Sequence, residues 1–526
     1  MSSLDTADAF GQRISDAVPR HAESAPDRVA LISHDWTLTY RELADEVDRH
    51  AAALLAAGVE RGDRVALMAT PGPTFVISFL ATASIGAVWQ GLNPRYSSRE
   101  LTFVLQDAAP RLVFSTIGGD DATALVEALA DVGPQPLIPL HHRKDLEAFN
   151  AAGEQTDAAD LAAYRSVVDP ADPALIVYTS GSTGTPKGAL LRHSGLVRLA
   201  HVEAAAWAVE DPVMICNLPV NHIASVGDLV SVPLVAGATL LLREGFDADE
   251  LLADIAAHRI TTLFQIPTQL QRLGSHPDFA RTDLSSLQVV AWGGSPLPAE
   301  SLRIYREAGV RLVSTYGLTE ATSSVTYSTP GASDEALLHT VGAPDPGMNV
   351  RILGEDGQWT TTGTGEICVR HDTVLAGYLN LPDATAEAFT ADGWLRTGDV
   401  GHLREDGNLV LVGRTKEMFK SGGYNIYPRE IEAVIEAHPD TQMCAVVPRP
   451  DPDFHEVGVA FVQPRPGSQL DAETLRLWCR DQLANFKIPK TFVFLDQLPL
   501  LPVGKVDKFA LRAAAADGLT DAGTRP

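Results

Sequence analysis

Basic residues are few in this 526-residue chain: 41 Lys and Arg stand against 67 Asp and Glu, a net charge of −26. So acidic a chain offers no basic face with which to coat phosphates. That excludes nucleic acid and an anionic membrane surface as default partners, while leaving room for a small anion held by a few local cations. Cysteine is rarer still. Cys216, Cys368, Cys444 and Cys479 show no C-x-x-C spacing, which excludes a disulfide framework and a thiolate zinc site and predicts buried free thiols in a reducing cytoplasm. Long apolar runs are missing too. The nearest approach, Thr74 to Leu92, holds Thr, Ser and Gln and follows Pro71 and Pro73, so it reads as a buried helix of an α/β core and not as a transmembrane segment. The opening MSSLDTADAFGQRI is acidic and lacks the apolar core of a secretory signal. No internal repeat of solenoid period occurs.

What is present is a chain several times the usual domain of about 100–150 residues, 45% apolar and 21% charged, with ample material for a large core. Short β-rich runs alternate with helical stretches: RVALIS (28–33), a helix over 41–58, RVALMA (64–69), GAVWQGL (86–92), RLVFST (111–116), ALIVYTS (174–180), ATLLLRE (238–244), TLFQIP (262–267), LQVVAWGG (287–294) and VRLVSTYG (310–317). Continuous apolar strands separated by helices predict mostly parallel sheets covered on both faces. From about Asn349 the strands shorten and Glu-Asp-Gly turns appear at 355–357 and 405–407, which predicts a small β-rich subdomain. Beyond 413–416 a compact α+β segment is expected, with helices over 428–439 and 471–486 and strands over 443–450 and 457–466. The fold class is therefore α/β, with an N-terminal domain over 1–412, a junction at 413–416 and a C-terminal domain over 417–526, of which 512–526 reads as a loose tail.

The strongest local signal is Tyr178-Thr-Ser-Gly-Ser-Thr-Gly-Thr-Pro-Lys187-Gly188, directly after an apolar strand. Three glycines and five serine or threonine residues gather backbone and side-chain donors in one loop, and a lysine closes it, a combination suited to a polyphosphate. It is not a Walker A loop, since two residues separate Gly184 from Lys187 and Gly188 follows the lysine.

This string resembles the phosphate loop of the adenylate-forming superfamily, of the acyl- and aryl-CoA synthetase type. Further motifs follow in the family's order: Gly293-Gly-Ser-Pro-Leu297 on the adenine side, Tyr316-Gly-Leu-Thr-Glu320, Trp394-Leu-Arg-Thr-Gly-Asp399, Gly413-Arg-Thr-Lys416 and Pro502-Val-Gly-Lys505. The resemblance runs from about Thr39 to about Leu511. It implies an ATP-dependent carboxylate–CoA ligase that makes an acyl-adenylate with release of pyrophosphate and then transfers the acyl group to the CoA thiol. ATP, Mg2+ and coenzyme A are the implied cofactors, a small-molecule carboxylate the implied substrate, the cytoplasm the implied location, and a homodimer stays open.

The roles follow residue by residue. Nucleotide contacts are implied at Thr179, Ser180, Gly181, Ser182, Thr183, Gly184, Lys187, Gly294, Ser295, Pro296, Thr315, Tyr316, Gly317, Thr319, Asp399, Arg414 and Lys505. Asp399 would accept from both ribose hydroxyls, as an ionised carboxylate does well. Glu320, with Thr183, would hold the metal; magnesium asks for only one or two carboxylates beside phosphate oxygens. Joining a carboxylate to an α-phosphate brings two anions together, so catalysis is largely charge neutralisation and alignment. Lys505 would be the cation between them, Lys187 would hold phosphate, and His222 would sit beside the acyl carboxylate. The implied hinge is Lys416, about which the C-terminal domain rotates for the second half-reaction. Lys420 would then orient the reacting groups, with Ser421, Gly422, Gly423 and Asn425 along the CoA arm.

The acyl pocket is implied at Asn221, His222, Ile223, Val226, Trp292, Gly294, Leu318, Ser323 and Val325, mostly apolar, which points to a hydrophobic monocarboxylate. Asn221 replaces an aromatic found in many relatives and serves either as a polar contact to substrate or as a helix cap. Trp292 either walls the pocket or belongs to the core. An amino-acid substrate is disfavoured because Ile223 stands where a peptide-synthetase domain has aspartate. Coenzyme A is the expected acceptor because no carrier domain follows the lysine motif. A stand-alone acyl-AMP ligase serving a carrier protein, a non-catalytic nucleotide-binding paralogue and an ATPase switch are the competing readings.

Overall fold

The structure is a computed structural model, and it describes residues 13–133, 135–179, 186–345, 347–500 and 506–516. The chain divides into two compact units. The first comprises 1–349 and 369–395, the second 350–368 and 396–526. The junction expected at 413–416 thus falls inside the second unit, at the end of the strand Leu409–Arg414 and in the turn after it.

Three sheets build the first unit. A seven-stranded sheet runs in the order Gly377–Tyr378, Lys187–Arg192, Pro173–Thr179, Val88–Leu92, Arg64–Met68, Leu112–Ser115, Leu137–Pro139. Its last five strands are parallel neighbours, whereas Lys187–Arg192 is antiparallel to both its partners. A second sheet orders Thr37–Thr39, Val29–Ile32, Thr239–Leu242 and Val213–Cys216. The third orders Thr262–Gln265, Val289–Trp292, Arg311–Leu318, Ser323–Tyr327 and Ala343–Pro344, parallel across its first three strands and antiparallel after them.

Local chemistry explains the helices. The uncharged stretch 74–92 divides into a helix, Pro73–Ser84, and the strand Val88–Leu92. Proline at the first helical turn starts that helix, and every residue in it but Thr74 is buried. At roughly 1.5 Å per residue it is about 18 Å long, well short of a bilayer. No helix among the described residues is long and apolar enough to cross a membrane. Capping boxes at Thr39/Glu42 and Ser97/Glu100 start the helices Tyr40–Ala56 and Ser98–Ala108.

In the second unit one sheet orders Trp359–Thr360, Asn349–Leu353, Gly365–Arg370, Leu395–Leu403 and Leu409–Arg414. The other is built on the long antiparallel pair Thr441–Asp451 and His455–Pro464, with the hairpin Phe419–Ser421/Tyr424–Ile426 on one side and Thr491–Phe494 added in parallel. The helix expected over 471–486 stops at Arg480. Leu475 and Cys479 are its buried stripe, whereas from Asp481 to Phe486 only Leu483 packs, half-buried, against the core, too little to sustain further helical turns.

Candidate active site

In the first unit the strand register sets Thr179 directly opposite Lys187, so this pair brackets the hydroxyl- and glycine-rich string. Ser180, Gly181, Ser182, Thr183 and Gly184 lie outside the described residues. On its other edge Lys187–Arg192 pairs with Gly377–Tyr378. That pairing puts the Tyr378 ring 5.0 Å from Lys187 Nζ, a cation–π contact. The Tyr378 hydroxyl donates to Glu320 Oε1 at 2.8 Å, and Thr179 Oγ1 donates to the same oxygen at 3.4 Å. Thr179, Lys187 and Glu320, taken from three separate motif positions, therefore meet around one tyrosine that sequence reasoning missed. Burial and the Glu320 charge push the Tyr378 phenol far up, so it stays a donor. Glu320 Oε2 accepts from no described residue.

The placement of Glu320 follows from its motif. Arg311–Leu318 and Ser323–Tyr327 pair with a register shift between Tyr316 and Gly317. There the backbones approach so closely that a Cβ at Gly317 would lie 1.9 Å from the Ser323 carbonyl oxygen; only glycine fits. One 3-10 turn, Thr319–Ala321, joins the strands, and Thr322 in the left-handed region (φ 60°) reverses the chain. Tyr316 is buried, Leu318 and Thr319 are half-buried, and Thr315 Oγ1 lies 2.6 Å from Ser324 Oγ. Gly294, Ser295 and Pro296 are exposed just beyond the strand Val289–Trp292.

The acyl-side residues sit in a more polar setting than their own side chains suggest. Ile223, Val226, Trp292 and Val325 are buried. Asn221 caps no helix; its Nδ2 donates to the Tyr96 hydroxyl at 2.8 Å. His222 is half-buried, and its Nδ1 accepts from the Ala224 N–H at 3.2 Å. Ser323 Oγ donates at 2.7 Å to Asp228 Oδ2, from a π-helical stretch, Ala224–Ser231, that starts directly after Ile223. Asp228 and Glu203, the latter on the helix His193–Trp207, are both wholly buried, and Glu203 Oε2 and Asp228 Oδ1 have no hydrogen-bond partner among the described residues. Ser324 Oγ and the Tyr327 hydroxyl donate to Glu203 Oε1 at 2.9 and 3.4 Å. Burial, reinforced by the Asp228 charge, holds the Glu203 carboxyl well above the usual carboxylate range. Burial raises the Asp228 carboxyl as well, to about 6. Sequence reasoning missed this pair, whose members stand far from Ser323 and Ser324 in the chain.

The second unit carries its own part of the pattern. Asp399 is buried and lies opposite Arg414 in the antiparallel ladder, and Arg414 Nε donates to Asp399 Oδ1 at 2.9 Å. Lys416 is exposed in the turn between Leu409–Arg414 and Phe419–Ser421, where the Glu417 and Met418 N–H groups both bond the Arg414 carbonyl. Glu417 is tied at 2.5 Å to Lys508, which also reaches Glu432 at 2.9 Å. Gly422 and Gly423, both at positive φ (57° and 88°), form the two-residue turn between Ser421 and Tyr424, as a type I′ hairpin requires. Lys420 is exposed opposite Asn425, whose Nδ2 donates to Glu355 at 2.7 Å. Lys505 lies outside the described residues.

A family model described as AMP-binding enzyme matches residues 18–379, and one described as AMP-binding enzyme C-terminal domain matches residues 430–505. The chain belongs to the AMP-binding enzymes. Similar proteins include a feruloyl-CoA synthase from Amycolatopsis sp, 36% identical over 495 residues that cover 94% of this chain and 97% of that one. An indoleacetate–CoA ligase from Aromatoleum aromaticum is 36% identical over 517 residues, covering 96% and 98% of the two chains. Among solved structures, ATP-bound MatB from Rhodopseudomonas palustris superposes with a TM-score of 0.86 at 30% identity, covering 96% of this chain and 99% of that one.

This AMP-binding enzyme is an ATP-dependent acid–thiol ligase of the acyl- and aryl-CoA synthetase type, working through an acyl-adenylate. Elsewhere among the described residues, Asp249, His276 and Asp278 have a spacing that would suit a cation. Both nitrogens of His276 are already engaged, with the Asp278 N–H and the Asp249 carboxylate, and nothing further marks a site there.

Proposed function

We propose that this enzyme activates a hydrophobic monocarboxylic acid and delivers it to coenzyme A. A carboxylate oxygen attacks the α-phosphorus of ATP and pyrophosphate leaves. The CoA sulfur then attacks the acyl carbonyl carbon and AMP leaves. In this reading Thr179, Lys187 and the hydroxyl-rich string from Ser180 to Gly184 hold the phosphates, Tyr316 and Gly294–Pro296 the adenine, and Asp399 and Arg414 the ribose side. Lys505 is the cation that lets two anions meet, and His222 sits beside the carboxylate. Glu320 fits a magnesium ligand: Tyr378 and Thr179 anchor one of its oxygens and leave Oε2 open to a hard cation, which when bound would neutralise phosphate charge.

The second half-reaction is assigned to the turn at 413–416, with Lys416 as the hinge and 417–526 as the moving domain. The Gly422–Gly423 turn, beside Lys420 and Asn425, takes the pantetheine arm. The free, buried state of all four cysteines supports a cytoplasmic location. The observation that best supports the whole reading is the convergence of Thr179 and Tyr378 on Glu320, with Lys187 against the Tyr378 ring. A pyrophosphate-release screen over aliphatic and aromatic acids, with and without CoA, tests it. AMP, pyrophosphate and a CoA thioester are expected; ADP as the nucleotide product would overturn it.

A further inference from the structure

The turn that carries Glu320 ends in two consecutive residues at positive φ, neither of them glycine: Thr322 at 60° and Ser323 at 72°. A β-branched residue enters that region only under constraint, and such strain persists only where the surroundings impose it. Here each residue is tied down by its own hydroxyl. Thr322 Oγ1 donates to the Thr373 carbonyl at 3.0 Å, and Ser323 Oγ donates to Asp228 Oδ2 at 2.7 Å. The Leu375 N–H adds a bond of 2.8 Å to the Glu320 carbonyl, so one side of the turn is fastened to the segment that leads to Tyr378. Asp228 fastens the other side.

Asp228 is a demanding choice of anchor. It is wholly buried in the π-helical stretch Ala224–Ser231, and its Oδ1 has no partner among the described residues. A carboxyl half satisfied in the interior costs stability where it stands. In return its other oxygen accepts more strongly than a neutral one, and 2.7 Å is the length of a hydroxyl bonded to a charged acceptor. Backbone strain and an under-satisfied buried acid thus gather within a few residues of Glu320, the arrangement of a support kept for function.

We propose that Asp228 is a positioning residue: through Ser323 it holds the Thr322–Ser323 turn in its left-handed course and so keeps the Glu320 carboxylate within reach of Tyr378. The inference rests on the reading of Glu320 as the magnesium ligand given above.

The test uses Asp228→Ala and Asp228→Asn in the full-length enzyme. In a crystal structure of metal-free Asp228→Ala, the Thr322–Ser323 backbone is expected to leave the left-handed region and Glu320 Oε1 to part from the Tyr378 hydroxyl. The magnesium concentration for half-maximal pyrophosphate release should rise about fivefold or more with alanine, and less with asparagine, which still offers Ser323 a neutral acceptor. Thioester formation from supplied acyl-AMP and CoA should stay within about twofold of the wild type, whereas a loss of stability alone depresses both half-reactions together. Should the alanine variant fail to fold, Ser323→Ala removes the same tether without emptying position 228, and is read by the crystal structure and the magnesium profile. An unmoved turn, an unchanged magnesium profile, asparagine no better than alanine, or equal loss of both half-reactions overturns the proposal. Those outcomes leave Glu320 as the metal ligand intact, whereas a wild type indifferent to magnesium defeats that reading and this inference together.

Discussion

Replacing Glu203 by glutamine isolates the buried acid pair. In the native enzyme Glu203 and Asp228 are wholly buried, and hydroxyls from Ser323, Ser324 and Tyr327 donate to them. Around them stand the Tyr327 phenol, itself pushed far up by burial, and Arg198, which is engaged by Asp345. Arg198 makes no ion pair with either acid of the pair. Burial therefore holds both carboxyls above their usual range in the folded state, whereas both ionise near pH 4 once unfolded. A carboxyl whose folded pKa lies above its unfolded value binds more proton in the folded state, so stability falls as pH rises between the two values and levels off above the folded one. The slope is about 1.4 kcal/mol per pH unit for each extra proton the folded state holds. Glutamine at 203 keeps the shape and takes up no proton. Urea unfolding of the full chain at pH 5, 6 and 7 should show the variant gaining on the wild type as the pH rises, at a slope of up to about 1.4 kcal/mol per pH unit. Both proteins share every other titrating group, so the difference is the diagnostic quantity. Parallel pH dependences would show that Glu203 is not held above its usual range, and the argument from the buried carboxyls would fail.

Three further predictions bear on the site. Lys505→Ala should abolish adenylation yet spare thioester formation from supplied acyl-AMP and CoA; equal loss of both steps would refute the assignment of Lys505 to the first. Tyr378→Phe removes the 2.8 Å hydrogen bond that anchors Glu320. It should lower kcat/KM for adenylation by about tenfold, the scale of one hydrogen bond to a charged group, and raise the magnesium concentration needed for half-maximal rate; an unchanged magnesium profile would count against Glu320 as the metal ligand. Lys508→Met leaves Glu417 and Glu432 without their shared, largely buried cation. A loss of about 3 kcal/mol or more is expected for a broken buried pair, visible as a lower melting temperature of the full chain.

The turn geometry of the Tyr316–Glu320 segment was legible because its residues act locally. Gly317 is the clearest instance, since the close approach of Ser323 admits no Cβ at that position. The alternating strands and helices of the first unit were legible too, because each parallel strand is buried on both faces and reads as an unbroken apolar run. Less visible were the strands Lys187–Arg192 and Ser323–Tyr327. They run antiparallel at sheet positions set by their neighbours, and the Ser-Ser-Val-Thr-Tyr stretch has no apolar run to announce it.

The amino-acid sequence by itself determined the kind of chemistry, that of a ligase of the adenylate-forming family, and supplied the motif residues to which the proposed nucleotide and metal roles are assigned. Only the tertiary structure decided which groups stand against one another. Tyr378 reaches Glu320 through an edge strand, Glu203 reaches Ser324 through helix packing, and Asp228 reaches Ser323 from the π-helical stretch. Such contacts carry no mark in the local pattern, because burial and pairing are properties of the assembled chain, and it is burial that turns an ordinary glutamate or aspartate into a group that must find a proton or a partner.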